Sequence, residues 1–337
     1  MDGRTIMEQK RLLMVFTGGE IASRIHLKAL ELGSAPYTLL DNQNALTKNM
    51  TIIEPISVCS ENITPPMYKV LFGEIQKAVG KGNNYDAILI AHGSDTLAYT
   101  AQLAAILLSG LDVPVVFFGS KLPPSHPNSD ALSNLKSAIT LVNHVDSGVY
   151  VVGKAIDGKT YAHYACYCMS ADACSDDYLS YKNMYAGIIK GKTYTPNDAV
   201  PAPVAPANAT KYLHALTKLM TLPKEDTILT IDASSCVNYA NYTVARSDYK
   251  FVLQRLHHFG TTNALSAENP FSLLYLNSAC QRYDKHIFIA PIDSSRPVTP
   301  STQTLLDAKI KPLFDCPFEA AWAYLMLSTW LGKMIKL

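Results

Sequence analysis

The chain has 337 residues, enough for about two domains of ordinary size. Hydrophobic residues make up 48% of it and charged residues 17%, which excludes a disordered chain, since disorder requires low hydrophobicity and a high net charge. Its 29 Lys and Arg nearly balance its 28 Asp and Glu, without a long run of one sign. We therefore expect neither a nucleic-acid partner nor a polybasic membrane anchor.

The apolar runs of the sequence are all much shorter than the roughly 20 residues that cross a bilayer, so no membrane span is predicted. The first run, Leu12–Phe16, is too short for the core of a signal peptide and is predicted to be a buried strand. The seven cysteines lie in a long chain and are odd in number, which is not typical of a disulfide framework. We expect a reduced, cytoplasmic protein.

Apolar runs alternate with helical periods along the first half of the chain, which predicts a parallel sheet covered by helices. The further predicted strands are 87–91, 113–118 and 148–152, and the predicted helices between them are 96–108 and 132–142. Ligands of such α/β folds bind at the carboxyl ends of the strands. In this chain those ends lead into three small, polar loops, at 17–20, 92–96 and 125–130. These loops form the first candidate site.

A segment with four prolines in sixteen residues, 195–210, predicts an extended linker. The strand and helix pattern resumes after it, with predicted strands at 227–231 and 286–290, a mixed segment at 249–256 and a final helix at 318–331. We expect three parts: an N-terminal α/β domain at 1–194, a Pro-rich linker at 195–221 and a smaller C-terminal α/β domain at 222–337.

Two of the polar loops make the chain resemble a known family. The sequence TGGE at 17–20 resembles the TGGT motif of bacterial-type L-asparaginases, and HGSDT at 92–96 resembles their HGTDT motif. The resemblance covers about residues 11–165. It implies a two-domain fold whose N-terminal domain has a flavodoxin-like parallel sheet, in a homodimer or homotetramer. It also implies hydrolysis of the side-chain amide of L-asparagine, or of L-glutamine or a related amide, through an acyl-enzyme and without a metal or organic cofactor.

The resemblance also assigns roles to positions that carry other residues here. In this chain Glu20 stands at the position of the nucleophilic threonine of TGGT, and Ser94 at the position of the second threonine. His163 aligns with the lysine of the family, and Asp95 matches the aspartate of HGTDT. Serine, histidine and aspartate are the residue types of a nucleophilic triad. In one hypothesis Ser94 is the nucleophile, His163 is its base and Asp95 is either a substrate-binding or an orienting group. Separately, a carboxylate at Glu20 is suited to activating water directly as a general base.

The alternative is that hydrolysis has been lost. Glutamate in place of threonine adds a negative charge and histidine in place of lysine removes a positive one, so the pocket is about two charge units more negative. Such a pocket disfavours the α-carboxylate of an amino acid unless Glu20 is protonated or paired. The chain would then be a degenerate relative that binds an amino acid or acts as an assembly subunit. Ammonia release from asparagine and glutamine separates the two hypotheses.

The segment 59–65 resembles the part of the family that binds the α-groups of the substrate. Ser60 can donate a hydrogen bond to a carboxylate, and Glu61 and Asp95 can accept from an ammonium group. Ser60 is also of a type that caps helices. Tyr37 either matches the tyrosine on the family's mobile lid or is one of many surface tyrosines.

Four residues of metal-ligating types lie close together in the sequence: His163, Cys166, Cys168 and Cys174. Their spacing fits no common zinc pattern, and cysteines often serve as small buried hydrophobes. A metal held by Glu20, Asp95 and His163 is a more distant alternative. We expect no metal site.

Overall fold

The structure is a computed structural model that describes residues 10–26, 29–32, 36–41, 43–80, 82, 84–223, 227–245 and 248–337. The chain divides into two compact units, Met1–Lys218 and Leu219–Leu337. The boundary therefore lies inside the segment 195–221 that the sequence predicts as a linker. Part of that segment is regular and belongs to the first unit.

The first unit contains a large sheet whose centre is parallel. The strands of this unit are, in chain order, β1 (Leu12–Phe16), β2 (Ser23–His26), β3 (Ala29–Leu32), β4 (Met50–Ile53), β5 (Ala87–Ala91), β6 (Pro114–Phe118), β7 (Gly148–Lys154), β8 (Thr160–Tyr164), β9 (Cys168–Met169), β10 (Leu179–Ser180), β11 (Tyr185–Lys190) and β12 (Thr193–Pro196). The large sheet has the order β12-β11-β8-β7-β6-β5-β1-β4, and β2 pairs with β3 in a separate hairpin.

The parallel part of this sheet runs β4-β1-β5-β6-β7. Counted along the chain this is the order 2-1-3-4-5, which is the flavodoxin-like order of doubly wound sheets. Strands β1, β5 and β6 are buried at every residue, because helices cover both faces of the sheet. The predicted strands 12–16 and 87–91 coincide with β1 and β5. The prediction of an α/β fold is confirmed.

The other edge of the sheet departs from the parallel pattern. Strand β8 turns back from β7 and pairs with it antiparallel, and β11 and β12 extend the sheet in the same way. A tight turn at Gly158, whose φ is 82°, connects β7 to β8. A short turn of this kind can join only antiparallel strands, since a parallel pair needs a long crossover. The pattern of apolar runs does not predict this extension.

Helices of the first unit cover the sheet: α1 (Asn44–Thr47), α2 (Pro65–Gly80), α3 (Leu97–Leu107), α4 (Ala131–Val142) and α5 (Ala209–Lys218). Helix α4 turns an apolar stripe that includes Leu135, Ala138 and Leu141 into the core. Helix α3 is buried almost all round, and it packs on β6 and β7. Helix α5 packs on α2 and α3.

The second unit is a smaller parallel sheet with helices. Its strands are β13 (Thr227–Ile231), β14 (Tyr249–Arg255), β15 (His286–Ile292) and β16 (Lys311–Phe314), and its helices are α6 (Leu273–Arg282), α7 (Pro300–Asp307) and α8 (Phe318–Trp330). The strands pair in chain order, and all three pairs are parallel. Helix α8 packs on β13, β14 and β15. In the described part of the chain no helix has the length and apolar character needed to cross a membrane.

Candidate functional site

The two loops that resemble family motifs meet at the carboxyl edge of the large sheet. Strands β1 and β5 are parallel neighbours that end level with each other, at Phe16 and Ala91. The strand order reverses between them, and ligands of doubly wound sheets bind at such a switch point. Gly19 has a φ of 78°, and a Cβ on it would lie 2.2 Å from the Cα of Gly93. Glycine is therefore required where the two loops touch.

Glu20 joins the two loops by a hydrogen bond. It opens a short 3-10 turn at Glu20–Ala22, and its Oε2 accepts the backbone N–H of Ser94 at 3.0 Å. The hydroxyl of Ser94 and the carboxylate of Asp95 have no hydrogen bond to any residue that the structure describes. Burial raises the pKa of the Cys59 thiol, and the charges of Glu61, Glu20 and Asp95 raise it further. Several carboxylates therefore share this edge.

A cavity of about 270 Å³ lies beside Ser94 and Asp95. Its lining includes Lys121 and Lys154, which differ in their pairing. Lys121 Nζ contacts Asp177 at 2.7 Å and donates to the Ser175 carbonyl at 2.8 Å. Lys154 is exposed and forms no ion pair within the described residues. Its ammonium group is thus available to a ligand in the cavity.

Tyr178 forms another wall of this cavity. A Cβ on Gly153 would lie 2.9 Å from the ring, and a Cβ on Gly119 would lie 3.1 Å from the hydroxyl, so both glycines leave room for the tyrosine. The hydroxyl is 3.5 Å from the carbonyl oxygen of Ser94. Burial raises the pKa of Tyr178, and nearby anionic groups that include Glu20 and Asp95 add to the effect. The phenol is therefore neutral, and its single O–H is directed at the Ser94 carbonyl.

Asp130 and Asn134 hold the loop after β6 in place. Asp130 accepts the backbone N–H of Lys121 at 2.9 Å and the amide of Asn134 at 2.9 Å. Asn134 also donates to the Gly119 carbonyl and accepts the backbone N–H of Lys154. Because it contacts the ends of both β6 and β7, the buried Asn134 fixes the position of the cavity wall. These two side chains shape the site.

Ser60 lies against the second loop with an unsatisfied hydroxyl. It is 2% exposed, and its Oγ has no hydrogen-bond partner among the described residues. A Cβ on Gly93 would lie 2.7 Å from that oxygen, so the hydroxyl faces the loop of Ser94. The residue at the N-cap of the turn Ser60–Asn62 is Cys59, whose side chain forms no capping hydrogen bond. Ser60 is thus not a helix cap, and Glu61 beside it is exposed.

His163 lies on β8 and is hydrogen-bonded elsewhere. It is 4% exposed, and its Nδ1 is 2.8 Å from the Ser180 hydroxyl. Burial lowers its pKa to about 4, although the charge of Asp177 opposes that shift. Among the described residues no hydrogen bond joins His163 to Ser94. The structure brings Glu20, Ser94 and Asp95 together but does not connect His163 to them.

The remaining predicted residues have separate environments. Tyr37 falls in the turn Pro36–Leu39, and its side chain lies outside the described residues. His92 is fully buried between the Gly93 carbonyl and the Thr100 hydroxyl, and burial lowers its pKa to about 4. Its hydrogen bonds identify it as a structural residue.

The cysteines near β8 lie in different environments: Cys168 is buried, Cys166 half-buried and Cys174 exposed. Burial raises the pKa of the Cys166 thiol to about 12, which leaves it protonated and a poor metal ligand. Across the described residues no group of three or more His, Cys, Asp or Glu side chains is arranged to hold a metal ion.

Lys154 and Tyr178 were missed by the sequence analysis. Lys154 is the last residue of β7, and the predicted strand ended two residues before it. A lysine at the carboxyl end of a parallel strand is a signal that could have been used. Tyr178 lies in an irregular segment without periodicity, so only the folded chain places it beside Ser94.

Comparison with known proteins identifies the family of this chain and several relatives. Residues 11–189 match the family described as "Asparaginase, N-terminal". A Saccharolobus islandicus protein, named as a subunit of glutamyl-tRNA(Gln) amidotransferase, is 33% identical over 160 residues, which are 46% of this chain and 35% of that protein. The protein of the same name from Methanococcus maripaludis is 30% identical over 159 residues, 46% of this chain and 37% of that protein.

Solved structures share the fold over most of the chain. The thermostable L-asparaginase from Thermococcus kodakarensis superposes with a TM-score of 0.71 at 20% identity, covering 95% of this chain and 92% of that one. L-asparaginase I from Vibrio cholerae superposes with a TM-score of 0.69 at 19% identity, covering 96% and 93%. By contrast, the match spans only about a third of the length of the curated relatives.

Proposed function

This chain belongs to the asparaginase family, and from that membership we propose that it binds a free amino acid at the carboxyl edge of the large sheet without hydrolysing a side-chain amide. One observation carries the proposal. The carboxylate of Glu20 stands at the position of the TGGT nucleophile and accepts the backbone N–H of Ser94 at 3.0 Å.

This contact removes two requirements of amide hydrolysis. A carboxylate is a poor acyl acceptor, because attack on an amide would form an anhydride. The Ser94 N–H is already bound to Glu20, so it does not serve as a donor to the oxyanion that develops in the transition state. The negative charge of Glu20 also opposes the formation of that oxyanion.

The proposed base is also poorly suited to its role. A general base works best with a pKa near the working pH, and burial lowers the pKa of His163 to about 4. Its Nδ1 contacts the Ser180 hydroxyl. The triad of Ser94, His163 and Asp95 therefore has no supporting hydrogen bond among the described residues.

The groups that remain suit the two charges of an amino acid. The carboxylates of Asp95 and Glu61 can accept from an ammonium group, and the Ser60 hydroxyl and Lys154 ammonium can donate to a carboxylate. The cavity of about 270 Å³ is smaller than the about 300 Å³ at which pockets for drug-sized ligands begin. Of these four groups, Asp95 and Lys154 line the cavity. A small zwitterion fits its size and those two charges.

We extend the proposal to assembly. A relative over 46% of this chain is named as a subunit of an amidotransferase. The family resemblance implies a homodimer or homotetramer. We propose that the chain acts within such an assembly in the cytoplasm.

Hydrolysis of L-asparagine, L-glutamine or a related amide is the competing function. It is favoured by the Ser94 hydroxyl and the Asp95 carboxylate, which lie at the cavity without hydrogen bonds to described residues. The test combines a coupled ammonia assay on the purified full chain with calorimetric titration of the twenty amino acids. We expect saturable binding of at least one amino acid and no ammonia above the buffer control.

Two results would overturn the proposal. Ammonia release that Ser94→Ala abolishes would show a hydrolase. Failure of every amino acid to bind, with no ammonia, would show that the edge is not an amino-acid site.

A further inference from the structure

A second cavity, of about 300 Å³, lies in the second unit at the amino ends of three parallel strands. Lys250 is the second residue of β14, His286 opens β15 and Lys311 opens β16. Lys333 follows the end of α8. All four basic side chains line this cavity, and no acidic residue is among its described lining. We call it the basic cavity.

The basic side chains carry uncompensated charge. Lys250, Lys311 and Lys333 form no ion pair within the described residues, and all three are exposed at the cavity. Lys311 Nζ lies 5.3 Å from the centre of the Phe288 ring, a contact that leaves its positive charge unneutralised. Three lysine side chains thus line one small space in a chain whose net charge is only +1.

The charges of these lysines affect His286. Its ring stacks on Phe251 with centroids 6.3 Å apart, and both residues line the cavity. Burial lowers its pKa, and the charges of Lys311 and Lys250 lower it further, while Asp284 opposes them. The imidazole therefore lies in a positive field that a bound anion would cancel.

The cavity also contains an unsatisfied polar side chain. Thr329 is 7% exposed, and its hydroxyl has no hydrogen-bond partner in the part of the chain that the structure describes. Buried polar groups without a partner are rare in native proteins. It lies on the last turn of α8, beside the residues that lead to Lys333.

We propose that the basic cavity binds a phosphate-type oxyanion. Lysine binds phosphate as a point charge, and no ion pair between described residues has to be broken before these lysines engage a ligand. A phosphate dianion balances more of the three positive charges than a carboxylate does. Its several oxygens can also accept from the lysines and from Thr329 together.

The alternative role of the lysines is to stabilise the carboxyl end of α8. Cations stabilise a helix carboxyl terminus because its macrodipole is negative there. In that case removing the lysines would lower the melting temperature by the same amount with and without phosphate. An anion site predicts instead that the phosphate-dependent stabilisation disappears.

The experiment titrates the full chain with sodium phosphate, sodium acetate and adenosine monophosphate at constant ionic strength set with NaCl. We expect phosphate to bind saturably and at least tenfold more tightly than acetate. Tighter binding of adenosine monophosphate would assign the site to organic phosphates, and equal or weaker binding to inorganic phosphate. The double variant Lys250→Gln/Lys311→Gln should weaken phosphate binding at least tenfold. Lys309→Gln, an exposed lysine outside the cavity, is the matched control and should leave it unchanged.

Two further readouts keep the proposal falsifiable if the double variant folds poorly. Nitrogen NMR of the His286 ring should show its pKa rise when phosphate binds. Thr329→Val, which keeps the shape of the side chain, should weaken phosphate binding without lowering the melting temperature in chloride. Equal phosphate affinity in the wild type and the lysine double variant, or phosphate effects no larger than those of chloride, would overturn the proposal.

Discussion

The carboxyl edge of the large sheet and the amino edge of the small sheet present opposite charges to a ligand. At the first edge Glu20 and Asp95 lie beside a cavity whose described lining offers only Lys154 as an unpaired cation. At the second edge three lysines and a histidine line a cavity with no acidic residue in its described lining. Strand direction places both cavities, but the side chains at the strand ends and in the adjoining loops determine which ligand charge each accepts.

The largest effect is expected from Asp95. The change Asp95→Asn removes the carboxylate that we propose for the ammonium group, and hydrogen bonds to charged groups contribute about 1.5–3 kcal/mol. We expect amino-acid affinity to fall roughly 10- to 100-fold, since about 1.4 kcal/mol is a factor of ten. Calorimetric titration measures it, and phosphate binding by the basic cavity should not change.

Asp112→Asn is the matched control, because Asp112 is exposed and precedes β6 at the opposite edge of the sheet. If Asp95→Asn and Asp112→Asn bind the amino acid equally well, the acidic edge is not the ammonium site. The contrast between the two edges would then lose its functional meaning.

The next effect is a loss of stability in acid. Burial lowers the pKa of His92 and of His163 from 6.5 to about 4. The unfolded chain therefore binds more protons than the folded chain between those values. The contribution of the two neutral histidines to the free energy of unfolding is complete above pH 6.5 and is lost as the pH falls towards 4. For each histidine, the free energy of unfolding should fall by about 2 kcal/mol when the pH is lowered from about 7 to about 5.

Urea unfolding at several pH values measures this loss. His163→Gln should remove the contribution of one histidine to the pH dependence of the free energy of unfolding. His214→Gln, an exposed position on α5, should leave it unchanged. An unaltered pH profile in His163→Gln would show that His163 is not buried in its neutral form.

The smallest effects are expected from two hydroxyls that have no partner among the described residues, one in each region. Ser60→Ala and Thr329→Val each remove a buried, unsatisfied oxygen, so we expect the unfolding free energy without ligand to change by no more than about 1 kcal/mol. Their ligand effects should be separate. Ser60→Ala should weaken only the binding of the amino acid, and Thr329→Val should weaken only the binding of phosphate. Cross effects in these titrations would mean that the two cavities are not independent.

Much of the fold could be predicted from the sequence, because its central strands are continuous apolar runs. Strands β1, β5 and β13 have the predicted bounds. Helix α3 is one residue shorter than predicted at each end, and helix α4 begins one residue earlier than predicted. The antiparallel β8 was not predicted, since its sequence TYAHY has no continuous apolar run. Local patterns thus sufficed for β1 and β5, which are buried at every residue, and also for the apolar edge strand β13.

The candidate site was predictable in part for a similar reason. The loops of Glu20 and Ser94 follow predicted parallel strands, and the topology brings such loops together. The hydrogen bond between them, and the contact of His163 with Ser180, depend on side-chain positions that spacing does not determine. Tyr178 reaches Ser94 across 84 residues of sequence. Such contacts form only in the folded chain.

The central claim is that this edge binds an amino acid and leaves its amide intact. L-asparagine and L-glutamine labelled with ¹⁵N in the side-chain amide, mixed with a stoichiometric amount of the full chain, test it by ¹⁵N NMR. We expect the protein to perturb the amide signal of at least one of the two, while the ammonium signal grows no faster than without protein. Growth of the ammonium signal that Ser94→Ala abolishes would contradict it.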